Sequence, residues 1–264
     1  MTIKTLRQTL LDARAKNTSA FVPFVMAGDP DMETGAEILL TLEQNGAAAI
    51  ELGVPFSDPV ADGVTVQQAA ERALAAGATL RGVLGMLQTA RAKGLSIPVC
   101  LFSYLNPIFY MGYDVFAAAA KSAGAQGALI VDLPPEAAAD YLQAMEKTGL
   151  ETVFLCSPTT APERLPVIDR ASTGFVYYVS REGVTGAQSS LPDTLAGKLA
   201  ELRSALHAPL AVGFGISTPE HVHALNGKAD AIVVGSAIVK TIADSGKNAP
   251  SALAAQLRTL LNAA

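Results

Sequence analysis

Eight times along this chain a short apolar run that does not alternate in polarity is followed by a longer stretch with helical spacing. A strand that alternates has one wet face, whereas one that stays apolar throughout is covered on both. Parallel strands joined by crossover helices meet that condition, and eight strand-helix units favour a closed barrel over an open sheet. The expected strands are 20–27, 47–52, 97–102, 128–131, 152–156, 174–179, 210–213 and 231–234. The expected helices are one within 1–20, one from 31 to 44, then 64–76, 80–93, 114–122, 135–147, 161–170, 193–206 and 219–225, with closing helices to 264. Gly46, Gly127, Gly149 and Gly174 stand just before strands, where a helix turns back through a left-handed residue. The fold class expected is α/β, a (β/α)8 TIM barrel with an extra N-terminal helix and an extra helix after strand 2. At 264 residues, with no linker, charge block or low-complexity tract, 1–264 is expected to be a single barrel domain.

Composition excludes several roles. Net charge is −5 and no cluster of lysines and arginines occurs, which argues against nucleic acid or an anionic membrane as partner. Cys100 and Cys156 each lie inside an apolar run and fit buried free thiols better than a disulfide or metal pair. The first twenty residues alternate apolar with charged positions as an amphipathic helix does, unlike a signal peptide. No stretch is long and apolar enough to span a bilayer. The expectation is a soluble, cytoplasmic protein.

In a barrel of this kind function resides in the loops at the carboxyl ends of the strands. The segment Ile50-Glu51-Leu52-Gly53-Val54-Pro55-Phe56-Ser57-Asp58-Pro59-Val60-Ala61-Asp62-Gly63 puts a carboxylate where the second apolar run ends and returns with another. Two carboxyls in differently solvated places are how an acid and a base coexist at one pH. Equally, Glu51 could pair with a lysine across a barrel layer and Asp62 could cap the helix starting at Val64.

Around the last two strands, Val212-Gly213-Phe214-Gly215-Ile216-Ser217 and Val233-Val234-Gly235-Ser236-Ala237-Ile238 each run from strand through glycine into a helix start. Bare backbone N–H groups at a positive helix end suit a phosphate, and these are the usual serial positions for one. The long polar loop 180–190, with glycines at 183 and 186, suits a lid or an unstructured surface loop. Strand alternation sends only one of Tyr177 and Tyr178 inward, and Tyr177, which shares a face with Val179, is favoured. Phe24, Phe102, Leu129, Leu155 and Phe214 stand at or near strand ends, where they wall an apolar pocket or fill the barrel core. His207, His221 and His223 are away from the strands' carboxyl ends and suit surface or helix-face positions, not zinc. No nucleophile elbow, Walker loop or dinucleotide fingerprint occurs.

The segments 21–30, 51–63, 180–186 and 213–217 closely resemble those of the tryptophan synthase alpha chain family, over essentially the whole chain. That resemblance implies a lyase making a retro-aldol cleavage of indole-3-glycerol phosphate to indole and glyceraldehyde 3-phosphate. It implies that Glu51 protonates the indole ring carbon and that Asp62, the wetter carboxylate, holds the indole N–H. It places phosphate on Gly186, Gly215, Gly235 and Ser236, and substrate near Phe24, Phe102, Leu129, Tyr177, Thr185 and Phe214. It implies no cofactor on this chain, pyridoxal phosphate belonging to a partner beta chain. That partner would meet Pro55, Phe56, Ser57 and Asp58 in an alpha2beta2 heterotetramer.

Overall fold

The computed structural model describes residues 3–179, 194–213 and 215–262. Eight parallel strands close into a barrel in chain order: β1 (Ala20–Met26), β2 (Ile50–Gly53), β3 (Val99–Ser103), β4 (Gly127–Ile130), β5 (Glu151–Cys156), β6 (Phe175–Val179), β7 (Leu210–Gly213) and β8 (Ala231–Val234). Around them run α1 (Leu6–Ala15), α2 (Met32–Gln44), α3 (Val64–Ala75), α4 (Leu80–Ala92), α5 (Leu105–Met111), α6 (Tyr113–Ala123), α7 (Ala139–Thr148), α8 (Leu165–Ala171), α9 (Leu195–Ala205), α10 (Pro219–Leu225), α11 (Ser236–Ser245) and α12 (Ala249–Asn262). No helix among the described residues is long and apolar enough to cross a membrane.

Alternation along the strands builds two cores. In β2, Ile50 and Leu52 pack outward into the layer beneath the helices, with Phe21 and Val25 of β1 and Leu101 of β3. Successive strand side chains point to opposite faces, so Glu51 between them is forced into the barrel. Its register partners are Phe24 on β1 and Cys100 on β3. Both belong to the inner core with Phe102, Leu129, Phe175 and Tyr177. Tyr178 packs in the outer layer, as the alternation requires. Both faces are dry, which is why the strands read as unbroken apolar runs.

The amino-terminal end of the barrel is sealed by α1. Thr5 caps it, its hydroxyl accepting the Gln8 N–H at 3.1 Å, and the Glu151 carboxylate accepts the Leu6 and Arg7 N–H groups. Leu6 and Leu10 then insert into the inner core. Beside them Asp230, fully buried, accepts from Arg14 Nε at 2.8 Å, lies 3.0 Å from the Arg203 guanidinium and accepts the Leu210 N–H. Two cations and a backbone donor compensate one buried carboxylate.

Several expectations need correction. Besides the helix anticipated after strand 2, a second insertion, α5, follows β3; its seven residues are too short a stretch for a helical period to announce it. The inserted member after β2 is α3, which packs on α11 and β1, whereas α4 sits between α2 and α6 in the regular ring. The helices expected at 135–147 and 161–170 each open as a separate 3-10 turn, Pro135–Ala137 and Pro162–Arg164. Gly46 and Gly149 have the positive φ expected of helix ends, but α6 turns at Gly124 and neither Gly127 nor Gly174 is left-handed. At 127 the reason is space, since a Cβ there would stand 2.4 Å from the Glu151 carbonyl oxygen.

Candidate active site

At the carboxyl end of the barrel one cavity is lined by Phe24, Glu51, Asp62, Val66, Phe102, Tyr177, Gly215, Ile216, Val233, Gly235 and Ser236. A mostly apolar lining with a few convergent polar groups is the make-up of a small-molecule site. The two carboxylates singled out by the sequence therefore converge on one space. Neither structural alternative holds among the described residues: no lysine lines the cavity, and α3 is capped at Gly63 without a side-chain bond from Asp62.

Glu51 is 1% exposed, and its Oε1 has no hydrogen-bond partner among the described residues. Removal from water disfavours the charged form, so burial pushes its carboxyl up to about 8. Asp62 is held at the mouth of α3. The Gln67 amide donates to its carbonyl oxygen at 2.7 Å, and the Tyr104 hydroxyl stands beside its carboxyl. Its carboxyl is raised to about 6 by burial, with the Tyr104 hydroxyl working the other way. Asp62 is thus not the solvated residue expected: it is only 6% exposed. The asymmetry between the pair survives, because Glu51 lies deeper and burial raises its carboxyl further than that of Asp62.

The apolar wall has its own geometry. The rings of Phe24 and Phe102 meet edge to face with centroids 5.3 Å apart. Gly53 makes that possible, since a Cβ there would stand 2.7 Å from the Phe24 ring. Val66 of α3, Ile216 and Val233 complete a slot suited to a flat apolar group. On the β8 side, Gly235 caps α11 and Ser236 opens it, while Gly215 after β7 has a φ of +82°. A helix start reached through glycine leaves backbone N–H groups bare for an anion.

Glu51, Asp62, Phe24, Phe102, Tyr177, Gly215, Gly235 and Ser236 are brought together as anticipated. Leu129 is not among them: it is fully buried in the inner core, beneath the cavity. Thr185, Gly186 and Phe214, and the loop 180–190, lie outside the described residues. Of the segment expected to face a partner, Ser57 and Asp58 are exposed, Phe56 is half-buried against the Tyr104 ring at 5.3 Å, and Pro55 is buried. Pro55 therefore supports the loop from beneath. His207 is exposed beside Asp169 as expected, but His221 is buried, its Nδ1 accepting the Ser217 N–H. Tyr104, Val66, Ile216 and Val233 were not anticipated. Val233 could have been found by alternation from Val22 and Phe24 across the β1–β8 register; for Tyr104 no local signal exists.

Comparison with known proteins gives the chain's relatives. The family model described as tryptophan synthase alpha chain matches residues 10–263. The chain is 48% identical to the tryptophan synthase alpha chain of Geobacter sp. strain M21, over 86% of this chain and 85% of that one. It is 45% identical to that of Thioalkalivibrio sulfidiphilus, over 94% and 96%. Among solved structures it resembles the alpha subunit from Legionella pneumophila, with a TM-score of 0.90 at 36% identity, covering 98% of this chain and 97% of that one. It also resembles a chain of the Pyrococcus furiosus tryptophan synthase a2b2 complex, with a TM-score of 0.86 at 40% identity, covering 92% and 98%.

Proposed function

The chain belongs to the tryptophan synthase alpha chain family, and from that premise we propose how its own residues perform the alpha reaction. The reaction is the cleavage of indole-3-glycerol phosphate to indole and glyceraldehyde 3-phosphate, a carbon–carbon lyase step of tryptophan biosynthesis. The indole ring lies in the slot of Phe24, Phe102, Val66, Ile216 and Val233. Its phosphate rests on Gly215, Gly235 and Ser236, with Gly186 as a further donor and Thr185 and Phe214 nearby.

The observation that carries the assignment is the unequal pair of carboxyls in one cavity. Near pH 7 Glu51 is mostly neutral and Asp62 mostly ionised. Glu51 then protonates the ring carbon that bears the side chain, and Asp62 accepts the ring N–H and stabilises the positive charge that develops. As the carbon–carbon bond breaks, the adjacent hydroxyl loses its proton and becomes the aldehyde. The Glu51 carboxylate, buried and raised to about 8, is basic enough to take that proton back.

The alpha chain has no cofactor of its own; pyridoxal phosphate is on the beta chain, the partner in an alpha2beta2 assembly. We place the docking face on Ser57, Asp58 and Val60 with Phe109 and Tyr110 of α5. Val60 is 78% and Tyr110 92% exposed, unusual for apolar and aromatic side chains. A cytoplasmic setting, supported by the free buried Cys100 and Cys156, and a single domain over 1–264 belong to the same proposal. The test is stoichiometric: purified protein given indole-3-glycerol phosphate should release indole and glyceraldehyde 3-phosphate one to one. Failure to release indole with or without beta chain would overturn it.

A further inference from the structure

Asp62 can hold a ring N–H only if something fixes where its carboxylate points, because it sits on a loop and not on a strand. The polar contacts around it lead to Tyr104, the residue between β3 and α5. The Tyr104 hydroxyl accepts the N–H of Ala61, the residue before Asp62, at 3.1 Å, and it stands beside the Asp62 carboxyl, whose rise on burial it opposes. Tyr104 is 2% exposed, its ring lies against Phe56 of the same loop at 5.3 Å, and it does not line the cavity. Its hydroxyl thus ties the backbone of the β2–α3 loop, one residue before Asp62, to the rim of β3.

We infer that Tyr104 is a positioning residue for the alpha reaction: by holding the Ala61 N–H, its hydroxyl fixes the loop that presents the Asp62 carboxylate to the cavity. The inference rests on the role of Asp62 given above. A hydroxyl beside a carboxyl favours its charged form, so it opposes the burial that raises Asp62. The other titratable groups around the pair, among the described residues, are Glu51 and Tyr177 on the cavity and Asp132, near the phenol, whose carboxylate accepts the Leu105 N–H. No described lysine or arginine lines the cavity to do the same work.

The test is the pH dependence of kcat/KM for wild type, Tyr104→Phe, Asp62→Asn and the double variant. Tyr104→Phe keeps the ring against Phe56. It should move the acidic limb upward by roughly one pH unit and cost about tenfold near that limb, with the deficit narrowing toward pH 8. In the Asp62→Asn background the same change should alter the rate by less than about twofold, since the group it acts through is gone. Should Tyr104→Phe fold poorly, 3-fluorotyrosine at position 104, a stronger donor of the same shape, should move the limb downward. An unmoved limb, or an equal cost in both backgrounds, would overturn the inference and leave Tyr104 as packing. Wild-type turnover by Asp62→Asn would instead overturn the assignment of Asp62 itself.

Discussion

The Tyr177 hydroxyl lies so close over Gly213 that a Cβ at 213 would stand 2.0 Å from it and 2.7 Å from the ring carbon bearing it. Tyr177 lines the cavity, so the bare backbone of β7 sets the position of a ring beside the substrate. Any side chain at 213 must push that ring into the cavity or distort the strand. Gly213→Ala is expected to destabilise by about 1–3 kcal/mol and to raise KM more than it lowers kcat. Replacing Tyr177 by leucine in the same chain should recover part of the stability. Denaturant melts and steady-state kinetics on the two variants beside wild type check both.

The unequal carboxyls predict a bell-shaped pH profile. Glu51 works as an acid, so its contribution falls as pH rises through about 8; Asp62 works as an anion, so its contribution falls as pH drops through about 6. kcat/KM should peak near pH 7 and decline on both sides. Asp62→Asn should lose the acidic limb along with most of the rate, and a flat profile in wild type would contradict the pairing.

Gly235 offers a cleaner probe of the phosphate seat than Gly215. At 215 a side chain is strained by the positive φ, whereas a Cβ at 235 meets nothing nearer than 3.6 Å. Gly235→Ala should therefore melt within a degree or two of wild type. It should nonetheless raise KM by about tenfold, because the new methyl keeps the phosphate from the backbone. Equal KM values would move the phosphate elsewhere.

The exposed face of α5 separates docking from chemistry. Phe109 and Tyr110 lie outside the cavity, so replacing both by serine should leave the turnover of the isolated chain unchanged. The same variant should need roughly ten times more beta chain to reach full complex formation, read by titration. An unchanged titration would place the interface on another face.

Much of this was legible in the sequence, for reasons that also mark where legibility stops. Strands dry on both faces announce themselves without reference to the rest of the chain, and a carboxylate ending such a run, Glu51, can hardly be anywhere but inside. Asp62 was found by motif, but its burial was not, because the composition of a polar loop does not say that α3 will fold over it. Leu129 shows the limit for apolar strand ends: one residue of depth separates cavity wall from core. Tyr104 was invisible because its bond to Ala61 joins residues 43 apart in sequence, and only barrel closure brings them together. α5 escaped because seven residues are too few for a helical period to stand out, and because Phe109 and Tyr110 point to solvent while Ile108 is buried.

The most direct measurement is indole release from indole-3-glycerol phosphate by Glu51→Gln at pH 7, beside wild type of equal folded content. Folding is not in question for this variant. The raised carboxyl of Glu51 contributes stability fully present below its ordinary value of 4.5 and lost as pH rises through about 8, and glutamine has no such loss. The amide fills the same space but has no proton to give the ring carbon, so turnover should fall by about 10²–10⁴-fold with KM little changed. Turnover equal to wild type would show that some other group is the acid.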